Sequence, residues 1–136
     1  MASFSVSTKG HYDFINITDR VTDIVEKSVV GEGIAALFLQ GTTAVLIVME
    51  YEEGTVKDMK KLFEVWAPEN ADYEHHKKWG DHNGAAHVKS AVLRTDLAVP
   101  ITRGKLQLGE WQQIVLVDFD EKPRTREVIV KLIKSS

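Results

Sequence analysis

The chain predicts an α+β fold in one domain over residues 1–136, built mostly of antiparallel strands with about two main helices. Three observations lead there. About eight short β-rich runs are punctuated by glycine, proline and polar turns. Two stretches carry a helical period instead. The strands mostly follow one another directly, which argues against βαβ winding.

Phe4–Val6 and Tyr12–Ile17 read as strands around a Lys9-Gly10 turn. Thr18-Asp19 opens a helix whose apolar face carries Val21, Ile24, Val25 and Val29, and Gly31 and Gly33 end it. Ile34–Leu39 and Ala44–Met49, separated by Gln40-Gly41-Thr42-Thr43, predict a hairpin of largely buried strands. Thr55-Val56-Lys57-Asp58 has the spacing of a helix start. Val56, Met59, Leu62, Phe63 and Trp66 line one side of that helix, with Phe63 and Trp66 assigned to the core and Pro68 beyond its end. Residues 67–85 show no period and read as a long polar loop, the kind that is usually functional or disordered. Ala86–Leu93 reads as a short helix, with a strand as the alternative. Leu97–Ile101, Lys105–Leu108, Trp111–Phe119 and Glu127–Ile133 read as strands, with Trp111 a packing residue.

With 43% hydrophobic residues the chain can build its own core, and without cysteine it forms neither disulfides nor thiolate metal sites. That composition fits a reducing, cytoplasmic setting. No apolar run approaches membrane-spanning length and the N-terminus lacks a secretory pattern, so no membrane association is expected. A net charge of −3 and scattered arginines give no basic stripe, so no nucleic-acid partner is expected. Dinucleotide, P-loop, zinc-protease and nucleophile-elbow motifs are absent.

The chemistry concentrates in one place. Four of the five histidines, His75, His76, His82 and His87, fall within thirteen residues, beside Asp81, Asn83 and Lys89. Imidazole titrates near neutral pH and is a common metal ligand. His75, Asp81, His82 and His87 are therefore candidate ligands for a divalent metal, zinc or another transition metal or magnesium, although their spacing matches no stock pattern; incidental loop histidines are the competing reading. His87 and Asp81 are candidate general acids or bases. Lys89, Arg124 and Arg126 are candidate phosphate holders, as is Arg103, with plain surface charges the competing reading, and the Asn83-Gly84 turn either offers backbone donors to an anion or is an ordinary turn. Arg124 and Arg126 are expected to alternate faces, so that only one enters a given pocket. Glu50, at a strand end, is either a functional carboxylate or the first exposed residue after the core, and Asp118 and Asp120 admit the same two readings. Gln112 can read a ligand group, and His11 is taken as structural.

Several segments carry a resemblance in order: Tyr73-Glu74-His75, residues 83–93 from Asn83 through His87 to Leu93, Val99-Pro100-Ile101, residues 104–114 around Trp111-Gln112, and Pro123-Arg124-Thr125-Arg126. Over almost its whole length the chain resembles the YjbQ-like family, sometimes labelled secondary thiamine-phosphate synthases. The resemblance implies a sandwich-like subunit that assembles as a homotrimer, with pockets near subunit contacts. It also implies a site lined by His75, Asp81, His87, Gln112 and an arginine of the last motif, with a metal as an implied ligand. Thr42 and Thr43 match a His-Thr-Ser/Thr motif of many relatives, whose histidine is Gly41 here; the Asn-Glu that often follows is Met49-Glu50. The implied activity joins an aminopyrimidine diphosphate to a thiazole phosphate and releases diphosphate. The open alternatives are metal-dependent hydrolysis or lyase chemistry on another phosphorylated metabolite, or a non-catalytic trimer that binds a metal or ligand.

Overall fold

Side-chain parity along each strand decides where the strands go. The computed structural model describes residues 2–135. Its elements in chain order are β1 (Ala2–Thr8), β2 (Asp13–Asn16), α1 (Thr18–Glu26), β3 (Gly33–Gln40), β4 (Ala44–Met49), α2 (Glu53–Trp66), α3 (Glu74–Trp79), α4 (Gly84–Leu93), β5 (Asp96–Thr102), β6 (Lys105–Leu106), β7 (Gln113–Asp118) and β8 (Arg124–Lys134). The expected α+β class of mostly antiparallel strands is what forms. A five-stranded sheet has the order β1-β8-β3-β5-β6 and a three-stranded sheet the order β2-β7-β4. All pairings are antiparallel.

The small sheet lies in the middle layer. Leu46, Ile114 and Leu116 point to one side, where they meet Phe4, Leu37, Val128 and Val130 of the large sheet and Val21 and Val25 of α1. Val45, Val115 and Val117, one residue out of phase, point to the other side and meet Phe63 of α2 and Ala86 of α4. Residues adjacent in a strand face opposite ways, so a strand sandwiched between two layers is apolar throughout. That is why β4 and β7 read as continuous hydrophobic runs.

Several expectations are corrected. Residues 34–39 and 44–49 do not form a hairpin: β3 pairs with β5 and β8, and β4 with β7. The four residues between them carry the chain across from one sheet to the other. Among the described residues, only β5 and β6 are chain neighbours within one sheet. The second helix begins at Glu53, because the Glu52 carboxylate accepts from the backbone N–H of Gly54 and Thr55 at 2.9 and 2.6 Å. Phe63 is core, but Leu62, Val65 and Trp66 are exposed. Trp111 lies outside β7 and is exposed, and Val29 lies beyond the end of α1, also exposed. The stretch read as a loop holds α3 and the first turn of α4. Their junction is tight: a Cβ at Gly84 would lie 2.7 Å from Tyr73 Cβ, while the Gly84 N–H donates to His76 Nε2 at 3.0 Å.

Candidate active site

The ends of five strands converge. Thr8 closes β1 opposite Arg124 at the start of β8, and Asp118 at the end of β7 pairs with both Asp13 and Ala44. Two carboxylates organise this corner. Asp118 accepts from Thr8 Oγ1 at 2.6 Å, from Arg126 Nε and Nη2 at 2.7 and 2.9 Å, and from the Asp120 N–H at 3.0 Å. Asp120 accepts from Thr43 Oγ1 at 2.8 Å, Arg124 Nε at 2.9 Å, Asn83 Nδ2 at 3.2 Å and the Glu121 N–H at 2.7 Å. Each carboxylate oxygen thus holds two donors, and both groups are spent as structure. Burial pushes the Asp120 carboxyl up, but the bonds from Thr43, Glu121, Asn83 and Arg124 together hold it below its ordinary value.

Both arginines point into this corner. The expectation that they face opposite ways fails because residues two apart in a strand share a face. Arg126 is buried in a two-pronged pair with Asp118, while Arg124 is partly exposed. Arg126 Nη2 also donates to Thr43 Oγ1 at 2.6 Å. Its Nη1 lies against Gly41, where an added Cβ would be 2.9 Å away.

Above this corner lies a cleft of about 450 Å³ lined by Gly41, Thr42, His87, Ser90, Ala91, Arg94, Thr95 and Asp96. His87, Ser90, Ala91 and Arg94 recur at helical spacing, so one face of α4 forms a wall and the crossing at Gly41-Thr42 forms another. Burial and the adjacent His75 imidazole hold His87 below its ordinary pKa, against the pull of Asp120, Asp81 and the Thr42 backbone. His75 and His87 lie with ring centres 4.4 Å apart. Behind His75 stands Asp81, with Nδ1 and Oδ1 3.0 Å apart but poorly aligned, so both atoms are buried without a proper hydrogen bond. This set of donors suits a transition metal chemically. Among the described residues, however, no three His, Asp or Glu side chains are grouped to hold an ion.

His75, Asp81, Asn83, His87, Thr42, Thr43, Arg124 and Arg126 are therefore brought together, whereas four other candidates lie elsewhere, among them Arg103 in the turn between β5 and β6, where its backbone N–H donates to Glu32. Lys89 is fully buried on the opposite face of α4, donating to Tyr12 Oη at 2.9 Å and to the Ala67 carbonyl at 2.5 Å. Tyr12 in turn donates to Glu64. Lys89 is the second residue after His87, and on a helix that spacing turns it away. Glu50 and Gln112 lie at the other end of the small sheet, where Met49 pairs with Gln113, roughly 20 Å along β4 from Thr43. There Gln112 Oε1 accepts from the Gly109 N–H and Glu50 accepts from Thr55. Sequence reasoning missed Ser90, Arg94 and Asp96; the spacing 87, 91, 94 along one helix was the signal that would have found the arginine.

A family model described as UPF0047 protein YjbQ-like matches residues 2–135. A UPF0047 protein of Archaeoglobus fulgidus is 36% identical over 95% of this chain and 98% of its own length. The UPF0047 protein YjbQ of Salmonella typhimurium is 38% identical over 85% of each chain. Among solved structures, a YbjQ-like protein of unknown function from Sulfolobus solfataricus P2 superposes with a TM-score of 0.92 at 30% identity, covering 98% of this chain and 96% of that one. An uncharacterized conserved protein of the YjbQ/UPF0047 family from Clostridium acetobutylicum does so with a TM-score of 0.88 at 31% identity, covering 98% and 100%. Sequence, fold and the ordered motifs from Tyr73 to Arg126 agree, and the chain belongs to the YjbQ-like UPF0047 family.

Proposed function

We propose that the His87 cleft is the active site of a small-molecule enzyme acting on phosphorylated metabolites, with secondary thiamine-phosphate synthesis as the concrete reaction. The observation that carries this reading is a neutral imidazole at the wall of a cleft of small-ligand size, backed by a second imidazole and a carboxylate. In the condensation, a C–N bond forms between the pyrimidine methylene carbon and the thiazole nitrogen. The C–O bond to diphosphate breaks and its electron pair leaves with the diphosphate. His87 accepts a proton from the pyrimidine's exocyclic amino group as the diphosphate leaves and returns it when the C–N bond forms, giving the quaternary thiazolium, and His75 with Asp81 orients it. Arg124, partly exposed beside Asp120, adds positive charge on the side where negative charge develops.

No step here runs through a metal, because the three candidate ligands are not grouped around one point. Metal-dependent hydrolysis or lyase chemistry on another phosphorylated metabolite is the competing reading, favoured by the buried, unpartnered His75 Nδ1 and Asp81 Oδ1. Dependence on a transition metal rather than magnesium would support it.

The homotrimer implied by the resemblance gains support from the outer face of the large sheet. Ile34, Phe38 and Ile133 are exposed there, with Ile34 opposite Ile133 on one side and Pro100 on the other. Such an open apolar face fits a second copy of the chain.

The test is thiamine phosphate formation from the two phosphorylated precursors with magnesium, comparing wild type with His87→Asn and Asp81→Ala. A loss of roughly 10²–10⁴-fold in His87→Asn is expected for removal of an acid–base group. Equal turnover in a folded His87→Asn protein would remove His87 from the mechanism.

A further inference from the structure

The strongest unassigned feature is Arg94, where α4 ends. Its backbone has φ 78 and ψ 163, a region occupied almost entirely by glycine. The conformation is fixed from both sides: the Arg94 N–H donates to Ser90 O at 2.9 Å, and Thr95 O accepts from the Leu39 N–H at 2.8 Å. Glycine would adopt this turn without strain, so the backbone does not explain an arginine there. Its side chain must supply the reason. Arg94 lines the cleft with His87, and among the residues lining it Arg94 is the one permanent positive charge.

Its present partner is weak. Arg94 Nε and Nη2 donate to Asp96 Oδ1 and Oδ2 at 3.0 and 2.8 Å, and the two side chains are 70% and 43% exposed. Exposed pairs of this kind contribute little and are readily exchanged. The fork that now grips a carboxylate matches two phosphate oxygens equally well. By contrast, Arg126 is buried in its pair with Asp118, and Lys89 faces the other core.

We propose that Arg94 is the anion-binding residue of the cleft, exchanging Asp96 for a phosphate or diphosphate group of the ligand. This rests on the reading of the cleft as a site for phosphorylated metabolites and sharpens it. His87 and Arg94 are seven residues apart on one helix, roughly 10 Å along its axis. Asp96 acts as a placeholder that keeps the guanidinium aimed at the cleft while it is empty.

The experiment is calorimetric titration of the protein with inorganic diphosphate, comparing wild type with Arg94→Gly and Asp96→Asn, alongside thermal unfolding of each. Arg94→Gly is expected to weaken diphosphate binding roughly 10-fold or more. The same variant is expected to raise Tm by roughly 2–6 °C as the strained turn relaxes. Asp96→Asn is expected to tighten binding by freeing the fork. Unchanged diphosphate affinity in Arg94→Gly, or no binding by wild type, overturns the proposal. Arg94-dependent binding without thiamine phosphate formation would sink the synthase reading and leave this inference standing. Turnover with an unaltered KM in Arg94→Gly would do the reverse.

Discussion

At the scale of single residues, His87 and Asp120 set how the protein responds to acid. Both are held below their ordinary pKa values, so the unfolded chain binds protons more readily than the folded one at each site. The His87 contribution is fully present above about pH 6.5, the imidazole's unfolded value, and is lost as pH falls through the lower folded value. The Asp120 contribution follows the same sign from about pH 3.9 downward. Unfolding midpoints in denaturant are expected to fall in two steps on acidification, and His87→Asn should abolish the upper one. Turnover should hold its plateau below pH 6.5 before the acid limb begins. Asp118 gives a separate test: Asp118→Asn leaves Arg126 buried with a broken pair, which is expected to cost about 3–5 kcal/mol of unfolding free energy. What the sequence made legible here was uneven. Crowding singles out His75, Asp81, His82 and His87 and the resemblance narrows them to His75, Asp81 and His87, whereas Asp118 and Asp120 read only as ambiguous strand-end acids. Their role is fixed by Thr8, Thr43 and Asn83, partners up to 110 residues away, and no local pattern reveals such a network.

At the scale of elements, α4 sorts its chemistry by face. His87, Ser90, Ala91 and Arg94 look into the cleft, while Ala86, Lys89 and Leu93 look into the second core. Burial pushes the Lys89 ammonium down, opposed by Glu64 and Glu69. Its bonds to Tyr12 Oη and the Ala67 carbonyl fasten α4 to the turn before β2 and to the end of α2. Helix α2 begins on a carboxylate cap: the Gly54 and Thr55 N–H groups hold Glu52 below its ordinary pKa. Glu52→Ala is expected to lower Tm and the helical signal together, which calorimetry and circular dichroism would read. The sequence showed a helix start within two residues of the true one. It missed α3 because six residues, Glu74–Trp79, are too few to display a period, and α3 holds no buried residue from which a face could be read.

At the scale of the whole molecule, the α+β class was legible because it depends on composition and local period. Strand partnership was not, because it depends on which sheet each strand joins. Residues 34–39 and 44–49 look like hairpin halves in the sequence, and only their different burial separates them: β3 alternates, whereas β4 is buried on both sides. The open outer face of the large sheet belongs to this scale as well. Phe38→Glu, at an exposed position on β3, is expected to convert the proposed homotrimer to monomer, with light scattering reading the mass. A monomeric wild type would remove the trimer from the account.

The strand order has a consequence in time. β8 lies between β1 and β3, yet it follows every other strand of both sheets in the chain. As the polypeptide emerges from the ribosome, β1 has no partner until more than a hundred further residues have been made. The same late arrival supplies Arg126, without which Asp118 has no counter-ion. Through most of synthesis, then, the nascent chain carries open strand edges, and the large sheet and the corner beneath the cleft are completed together at the end.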